Sequence, residues 1–180
     1  MRLKLLPFLI SLALLASLIA LLPLLLDSET SVTASATMVG LFPGFGLGVV
    51  LATCSYEEQA GARGLIFVPL AALLGMVMAV LCWVFASVVG AKPLLLALAY
   101  GSANLSGAFV LFALARNIYA TKFSNRKVVP AACASAVSAL LLLFFPLTPF
   151  LHGVIAAGWV ACVGSGMALV LWRRKSNAQA

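Results

Sequence analysis

The sequence predicts an all-α protein, a polytopic integral membrane protein folded as a compact bundle of six transmembrane helices. The chain of 180 residues is 64% hydrophobic and only 8% charged, whereas soluble globular proteins are about half apolar and about a quarter charged. The hydrophobic residues form six long runs, and the basic residues gather in alternate connectors between them. A water-soluble domain with so few charges could not cover its surface, so we expect the lipid bilayer to surround this one.

The six apolar runs predict six spans within a single transmembrane domain, 1–180. About 20 apolar residues are needed to cross a bilayer as a helix. The predicted spans are 5–26, 36–54, 65–89, 93–115, 128–145 and 150–172.

The first run could instead belong to a signal peptide, because the segment Ala34-Ser35-Ala36 resembles a cleavage site. The run is longer than the roughly 7–15 apolar residues of a signal peptide, so we expect a retained helix. Removing it would leave the orientation of the other five helices unchanged.

The basic residues predict the orientation. With six spans, ten of the eleven Lys and Arg residues fall on one side of the membrane, and Lys92 stands alone on the other. The positive-inside rule then places both termini in the cytosol. We expect the protein to lie in the inner membrane of a bacterium. The net charge of +7 would suggest nucleic-acid binding in a soluble protein. Here these charges flank membrane spans, so we expect no nucleic-acid partner.

Glycine spacing predicts which helices pack closely. Helices two, four and six carry ten of the fourteen glycines, so we expect these three helices at the centre and the Leu-rich first helix facing lipid. Residues four apart share one helix face, and rows of small residues allow close helix contact. The predicted packing residues are Gly40, Gly44, Gly48 and Ala52 in helix two, and Gly153, Ala157, Ala161 and Ser165 in helix six.

Polar residues and helix-breaking residues near the membrane midplane indicate a possible substrate site. Transporters bind substrate where helices are interrupted at this depth, and Pro43 and Gly46 are expected to interrupt helix two. The candidate substrate-binding residues are Pro43, Gly44, Phe45, Tyr100, Asn104 and Ser138. The alternative is that Asn and Ser form hydrogen bonds between helices and the glycines serve packing alone.

The titratable residues argue against several functions. All four carboxylates lie in predicted connectors, at Asp27, Glu29, Glu57 and Glu58, which weakens a proton-driven pump. A catalytic zinc site needs three protein ligands and a bis-histidine haem needs two histidines, whereas His152 is the only histidine. We therefore expect no metal site, no cofactor and no enzymatic activity. The four cysteines lack metal-ligand or redox spacing, and we expect small buried side chains. A redox pair of Cys54 and Cys133 is the alternative.

One short stretch resembles a known family. The segment LFPGFGLG at 41–48, followed by GARG at 61–64, is similar to the opening of small amino-acid exporters of the LysE type. Those exporters have a second proline where this chain has Phe45, and the loop spacing differs. The likeness covers a small part of the chain, and no family is assigned from it.

The sequence as a whole favours a small inner-membrane permease, or the membrane subunit of a transporter, moving a small solute between helices two, four and five. The alternative is a structural subunit that assembles a membrane complex through its glycine faces. We expect a homo-oligomer or association with other membrane subunits.

Overall fold

The protein is all-α. The computed structural model describes residues 4–25, 32–54, 59–90, 92–119, 125–146 and 148–172. The six α-helices are α1 (Leu5–Leu25), α2 (Val32–Thr53), α3 (Gln59–Val89), α4 (Pro93–Ile118), α5 (Asn125–Val137) and α6 (Pro149–Trp172), and a 3₁₀ segment (Ser138–Leu143) continues α5. The four carboxylates, which were predicted to lie in connectors, fall outside the described residues.

Within the described residues, four helices are long and apolar enough to cross a membrane, which indicates a multi-pass membrane protein. Their apolar spans cover Leu5–Pro23, Ala62–Val89, Pro93–Ile118 and Pro149–Val170. Two shorter apolar helical stretches, Leu41–Thr53 and Val128–Leu143, lie in α2 and in α5 with its 3₁₀ segment.

The turn between α3 and α4 follows from local chemistry. Gly90 adopts φ +68°, a left-handed conformation that glycine reaches without steric cost and that commonly ends a helix. Pro93 then begins α4, where its missing N–H costs no hydrogen bond.

Helix α6 occupies the centre of the bundle. It packs against α1, α2, α4, α5 and the 3₁₀ segment, and half of its apolar span is buried, compared with 17% for the span of α1. Helices α2 and α4, which were also expected at the centre, make no contact with each other within the described residues. Each neighbours α6 on a different side because α3 lies between them.

The predicted row of small residues in α2 packs against α3. A β-carbon at Gly44 would overlap the Ala71 carbonyl, and one at Gly48 would lie 3.0 Å from Val68 Cα. One turn further, a β-carbon at Gly64 would approach Ala52 Cβ to 2.7 Å. The two antiparallel backbones are therefore nearly as close as glycine allows. The contacts of Gly40 lie outside the described side chains.

Helix α6 uses its small residues on two faces. Gly153 packs on Ile19 and Pro23 of α1, and Gly164 packs on Leu12 of the same helix. On the other face, Gly158 meets Ser138 and Gly166 meets Ala131. Of the remaining residues in the predicted row, Ala157 is buried, Ala161 is half-buried and Ser165 is exposed. The Leu-rich α1 is thus mostly exposed, yet one of its faces is fixed to the central helix.

Helix α2 is continuous through Pro43 and Gly46. The expectation of an interrupted helix at this depth was wrong. A proline removes one backbone hydrogen bond, and membrane helices tolerate this where neighbouring helices cover the site. The close contact with α3 provides that cover on one side.

Candidate functional site

A layer of polar side chains crosses the bundle. Asn104 Nδ2 of α4 donates to the Ser135 carbonyl at 3.2 Å and to Ser138 Oγ at 3.3 Å. Trp159 Nε1 of α6 donates to the Asn104 carbonyl at 2.9 Å. The Ser138 hydroxyl also reaches the Ile155 carbonyl, at 3.4 Å. These bonds join α4, α5 and α6 at one depth.

The polar layer coincides with a change in helix type. Helix α5 ends at Val137 and continues from Ser138 as a 3₁₀ helix of six residues. Runs of 3₁₀ longer than three or four residues are uncommon because their hydrogen bonds are poorer. Asn104 supplies donors from α4 at the turn where the change occurs. The side chain therefore helps satisfy a backbone whose regular pattern is altered there.

A small cavity lies beside the polar layer and is lined by four helices. Its volume is about 70 Å³. A cavity of roughly 10–15 Å³ holds one water molecule, so this cavity has room for a solute of a few heavy atoms. Pro43 of α2 and Leu74 to Cys82 of α3 form one side. The remaining lining residues come from α4 and α6: Tyr100, Ala103, Asn104, Gly107, His152, Ile155, Ala156 and Trp159.

Three lining side chains carry polar groups with unused hydrogen-bonding capacity. Among the described residues, nothing donates to Asn104 Oδ1, and neither the Tyr100 hydroxyl nor the His152 ring nitrogens have a hydrogen-bond partner. Tyr100 and His152 contact each other edge to face, with ring centroids 5.2 Å apart. Tyr100 is 3% exposed. Among the described residues, the fully buried side-chain polar atom without a partner is the Tyr119 hydroxyl, outside this cavity. The polar groups of Tyr100, Asn104 and His152 therefore keep some access to the cavity, where a hydrogen-bonding guest could bind them.

The cavity contains no Asp, Glu, Lys or Arg among its lining residues. Burying an unpaired charge in an apolar bundle costs far more than burying a hydrogen-bonded neutral group. The lining therefore suits an uncharged solute. Within the described residues, no group of three His, Cys, Asp or Glu side chains could hold a metal ion.

The structure brings together some of the predicted substrate-binding residues. Pro43, Tyr100 and Asn104 line the cavity, and Ser138 joins it through its bond to Asn104. Gly44 is instead packed against α3, and Phe45 is 46% exposed on the outside of the bundle. The cavity lies between α2, α3, α4 and α6, whereas the sequence predicted a solute route between helices two, four and five. The 3₁₀ segment packs against α4 and closes that side.

Sequence reasoning missed His152, Trp159 and Ser135. His152 was considered as a metal or haem ligand and not as part of a solute site, and Trp159 gives no signal in a helix rich in apolar residues. A useful signal was available in the register of α6, because 152, 155, 156 and 159 share one face of a helix. The four cysteines are free, with Cys54 and Cys82 buried and Cys133 exposed.

Comparison with known proteins adds no assignment, since no family model, no curated protein and no solved structure matches this chain. The fold therefore indicates a multi-pass helical membrane protein, with a small cavity whose lining includes no charged residue.

Proposed function

We propose that all six helices cross the inner membrane of a bacterium and that both termini face the cytosol. Helix α2 has 22 residues, or about 33 Å at 1.5 Å per residue, and contains no charged residue. The apolar stretch Val128–Leu143 has ten α-helical and six 3₁₀ residues. At about 1.5 Å and about 2.0 Å per residue it reaches about 27 Å, close to the roughly 30 Å hydrocarbon core.

We propose further that the protein is a small permease, or the membrane subunit of a transporter, for a small uncharged solute that binds in the cavity. The observation that supports this most directly is the convergence of Tyr100, Asn104 and His152, each with unused hydrogen-bonding capacity, on one uncharged cavity inside an apolar bundle. Polar groups at this depth commonly mark a substrate route.

The cavity also has a position suited to transport. Its lining residues in α4 and α6, from Tyr100 to Gly107 and from His152 to Trp159, lie nearer the start than the end of each helix. With the proposed topology, both helices start on the outer side. The cavity then lies nearer the outside than the cytosol.

The alternative function, a structural subunit that binds others through glycine faces, has less support. The described glycine contacts of α2 and α6 are made with α1, α3, α5 and the 3₁₀ segment of the same chain. No outward row of glycines is present among the described side chains. Association with further copies or other subunits through other surfaces is compatible with either function.

Osmotic swelling of proteoliposomes tests the proposal, with urea, glycerol and propanediol as uncharged probe solutes. Two Gly→Ala variants of α4 form a matched pair. A β-carbon at Gly107 would meet Met78 Cγ and Trp159 Cζ2 at 3.7 Å, and one at Gly101 would meet Ala136 O at 3.8 Å. Both fit, but only Gly107 lines the cavity.

We expect wild-type protein and Gly101→Ala to raise the swelling rate equally for at least one probe solute. Gly107→Ala should lower that rate several-fold, because the added methyl group occupies the cavity without disturbing the fold. Swelling no faster than in protein-free liposomes for every probe, or equal rates for both variants, would overturn the proposal.

A further inference from the structure

A wide apolar groove runs along the outside of the bundle between α3 and α4. Its volume is about 730 Å³, ten times that of the internal cavity. Leu81, Phe85 and Leu98 line it and are 57%, 41% and 60% exposed. The groove also follows α4 from Leu95 to Ser106, about 16 Å along the helix axis.

The two serines in this groove do not make it polar. The Ser102 hydroxyl donates to the Ala99 carbonyl at 2.9 Å, and the Ser106 hydroxyl donates to the Ser102 carbonyl at 2.7 Å. Both donors are therefore satisfied within α4. The surface that remains suits a hydrocarbon chain.

The groove and the internal cavity share part of their walls. Met78, Cys82 and Ala103 line both, so their side chains form a shared wall between the groove and the polar cavity. Two of them are small, and Met78 has an unbranched, flexible side chain that can adopt several shapes. Met78 also lies beside Gly107, where an added β-carbon would be 3.7 Å from Met78 Cγ.

We infer that the solute is an uncharged single-chain amphiphile that reaches the cavity from the bilayer, past Met78, between α3 and α4. This inference rests on the proposed function and names the class of its substrate. A small hydroxyl or amide head group would bind Tyr100, Asn104 and His152. Its hydrocarbon tail would lie in the groove, because the cavity is too small to hold both parts.

The chemistry of the two spaces selects this class over an ordinary membrane phospholipid. A phospholipid head group is charged and lies at the membrane surface. Asn104 is eleven residues into α4, about 16 Å from its start. The cavity at that depth has neither the charge nor the volume for such a head group. The continuity of the groove with the cavity therefore argues for a smaller, neutral amphiphile.

Photolabelling tests the inference. The protein in phosphatidylcholine vesicles is mixed with dodecanol that carries a diazirine in its alkyl chain, and the sample is irradiated. Mass spectrometry of the peptides then maps the labelled residues. Competition with unlabelled dodecanol separates saturable labelling from random contact with lipid. Dodecane, which has the same chain and no head group, is the second competitor.

We expect saturable labelling within residues 78–85 and 95–106, displaced by dodecanol and not by dodecane. Ser102→Phe should fill the groove and lower the saturable labelling about tenfold, equivalent to about 1.4 kcal/mol of binding free energy. The control variant is Ala113→Phe, at an exposed position of α4 that lines neither space; it should label as the wild type does.

The outcomes distinguish this inference from the proposed function. If the wild type transports a probe solute but shows no saturable labelling, the amphiphile inference is wrong and the permease proposal stands. Displacement by dodecane equal to that by dodecanol would show a groove that binds any hydrocarbon, and would also overturn the inference. Saturable labelling without solute flux would support the amphiphile site and contradict transport of the probe solutes.

Discussion

Gly44 of α2 lies directly against the backbone of Ala71 in α3, so closely that a β-carbon at Gly44 would overlap the Ala71 carbonyl oxygen and lie 2.6 Å from its carbonyl carbon. The obstacle is backbone, which cannot rotate aside as the end of a long side chain can. The separation of α2 and α3 therefore depends on the absence of a side chain at residue 44. The continuous wall that these two helices present to the cavity depends on it too.

Gly44→Ala should lower the free energy of unfolding. Adding atoms to a well-packed interior typically costs about 1–3 kcal/mol, and a backbone obstacle places this site at the upper end. Gly101→Ala is the matched control, because its new methyl group makes ordinary contacts and alanine favours a helix by up to about 1 kcal/mol over glycine. Equilibrium unfolding in mixed detergent micelles measures both. Equal stability of the two variants would contradict the α2–α3 contact.

The glycine spacing illustrates how much of this fold can be predicted from the sequence. Positions 44, 48 and 52 predicted a face without side chains, because helical periodicity alone places residues four apart together. The partner of that face could not be predicted. Val68 and Gly64 have no distinguishing pattern in an apolar helix, and which helices meet depends on the packing of the whole chain.

The candidate site shows a different limit. Asn104 and Ser138 were predicted as polar residues at one depth, and the structure joins them with a hydrogen bond. The change to a 3₁₀ helix at Ser138 was not predicted, since residues 138–143 (SALLLL) have no proline or glycine to signal it. His152 and Trp159 were missed because helix register determines which of many apolar neighbours surround a cavity.

Asn104→Ala should weaken the contact between α4 and α5. It removes both donors that reach the Ser135 carbonyl and the Ser138 hydroxyl. Interhelical hydrogen bonds in membranes are worth about 0.6 kcal/mol on average and up to about 1.7 kcal/mol. A double-mutant cycle with Ser138→Ala should give a coupling energy of about 0.6–1.7 kcal/mol.

Ser106→Ala is the control for this cycle. Its exposed hydroxyl bonds to a carbonyl of its own helix, so its loss should change stability by less than about 0.5 kcal/mol. Additivity of Asn104→Ala and Ser138→Ala, with no coupling, would argue against the polar layer as a link between helices.

Tyr119 should make the protein less stable at high pH. Its side chain is 4% exposed, and among the described residues its buried hydroxyl has no hydrogen-bond partner. Burial raises the pKa of the Tyr119 phenol to about 12, compared with about 10 in an unfolded chain. The unfolded state therefore loses the proton first. The stabilisation is fully present below pH 10 and decreases as the pH rises from about 10 to about 12.

Thermal unfolding in detergent between pH 8 and 11 measures this effect, with Tyr119→Phe as the comparison. The variant keeps the ring contact with Phe67, 5.4 Å between centroids, and keeps the backbone carbonyl that accepts from Arg63 Nη1 at 3.3 Å. It should be at least as stable as the wild type at pH 8, because it removes a buried unpaired hydroxyl. Its midpoint should fall less between pH 10 and 11. An identical fall in both proteins would assign the pH dependence to other groups.

The number of spans can be decided from one position, Lys92. This exposed residue lies between α3 and α4. If α2 and α5 cross the membrane with the other four helices, residue 92 faces away from the cytosol while both termini face it. If only the four longest apolar helices cross, two spans precede residue 92 and two follow it, so residue 92 and both termini lie on the same side.

We expect Lys92→Cys, in a background with the four native cysteines replaced by alanine, to react with a membrane-impermeant maleimide in intact cells. A cysteine appended to either terminus should react only after the cells are permeabilised. The physical reason is that α2 reaches about 33 Å, and that the greater rise of the 3₁₀ segment lengthens the apolar part of α5 to about 27 Å. Labelling of Lys92→Cys and of both termini from the same side would show that neither α2 nor α5 crosses the membrane. The proposed orientation of the cavity would then be wrong.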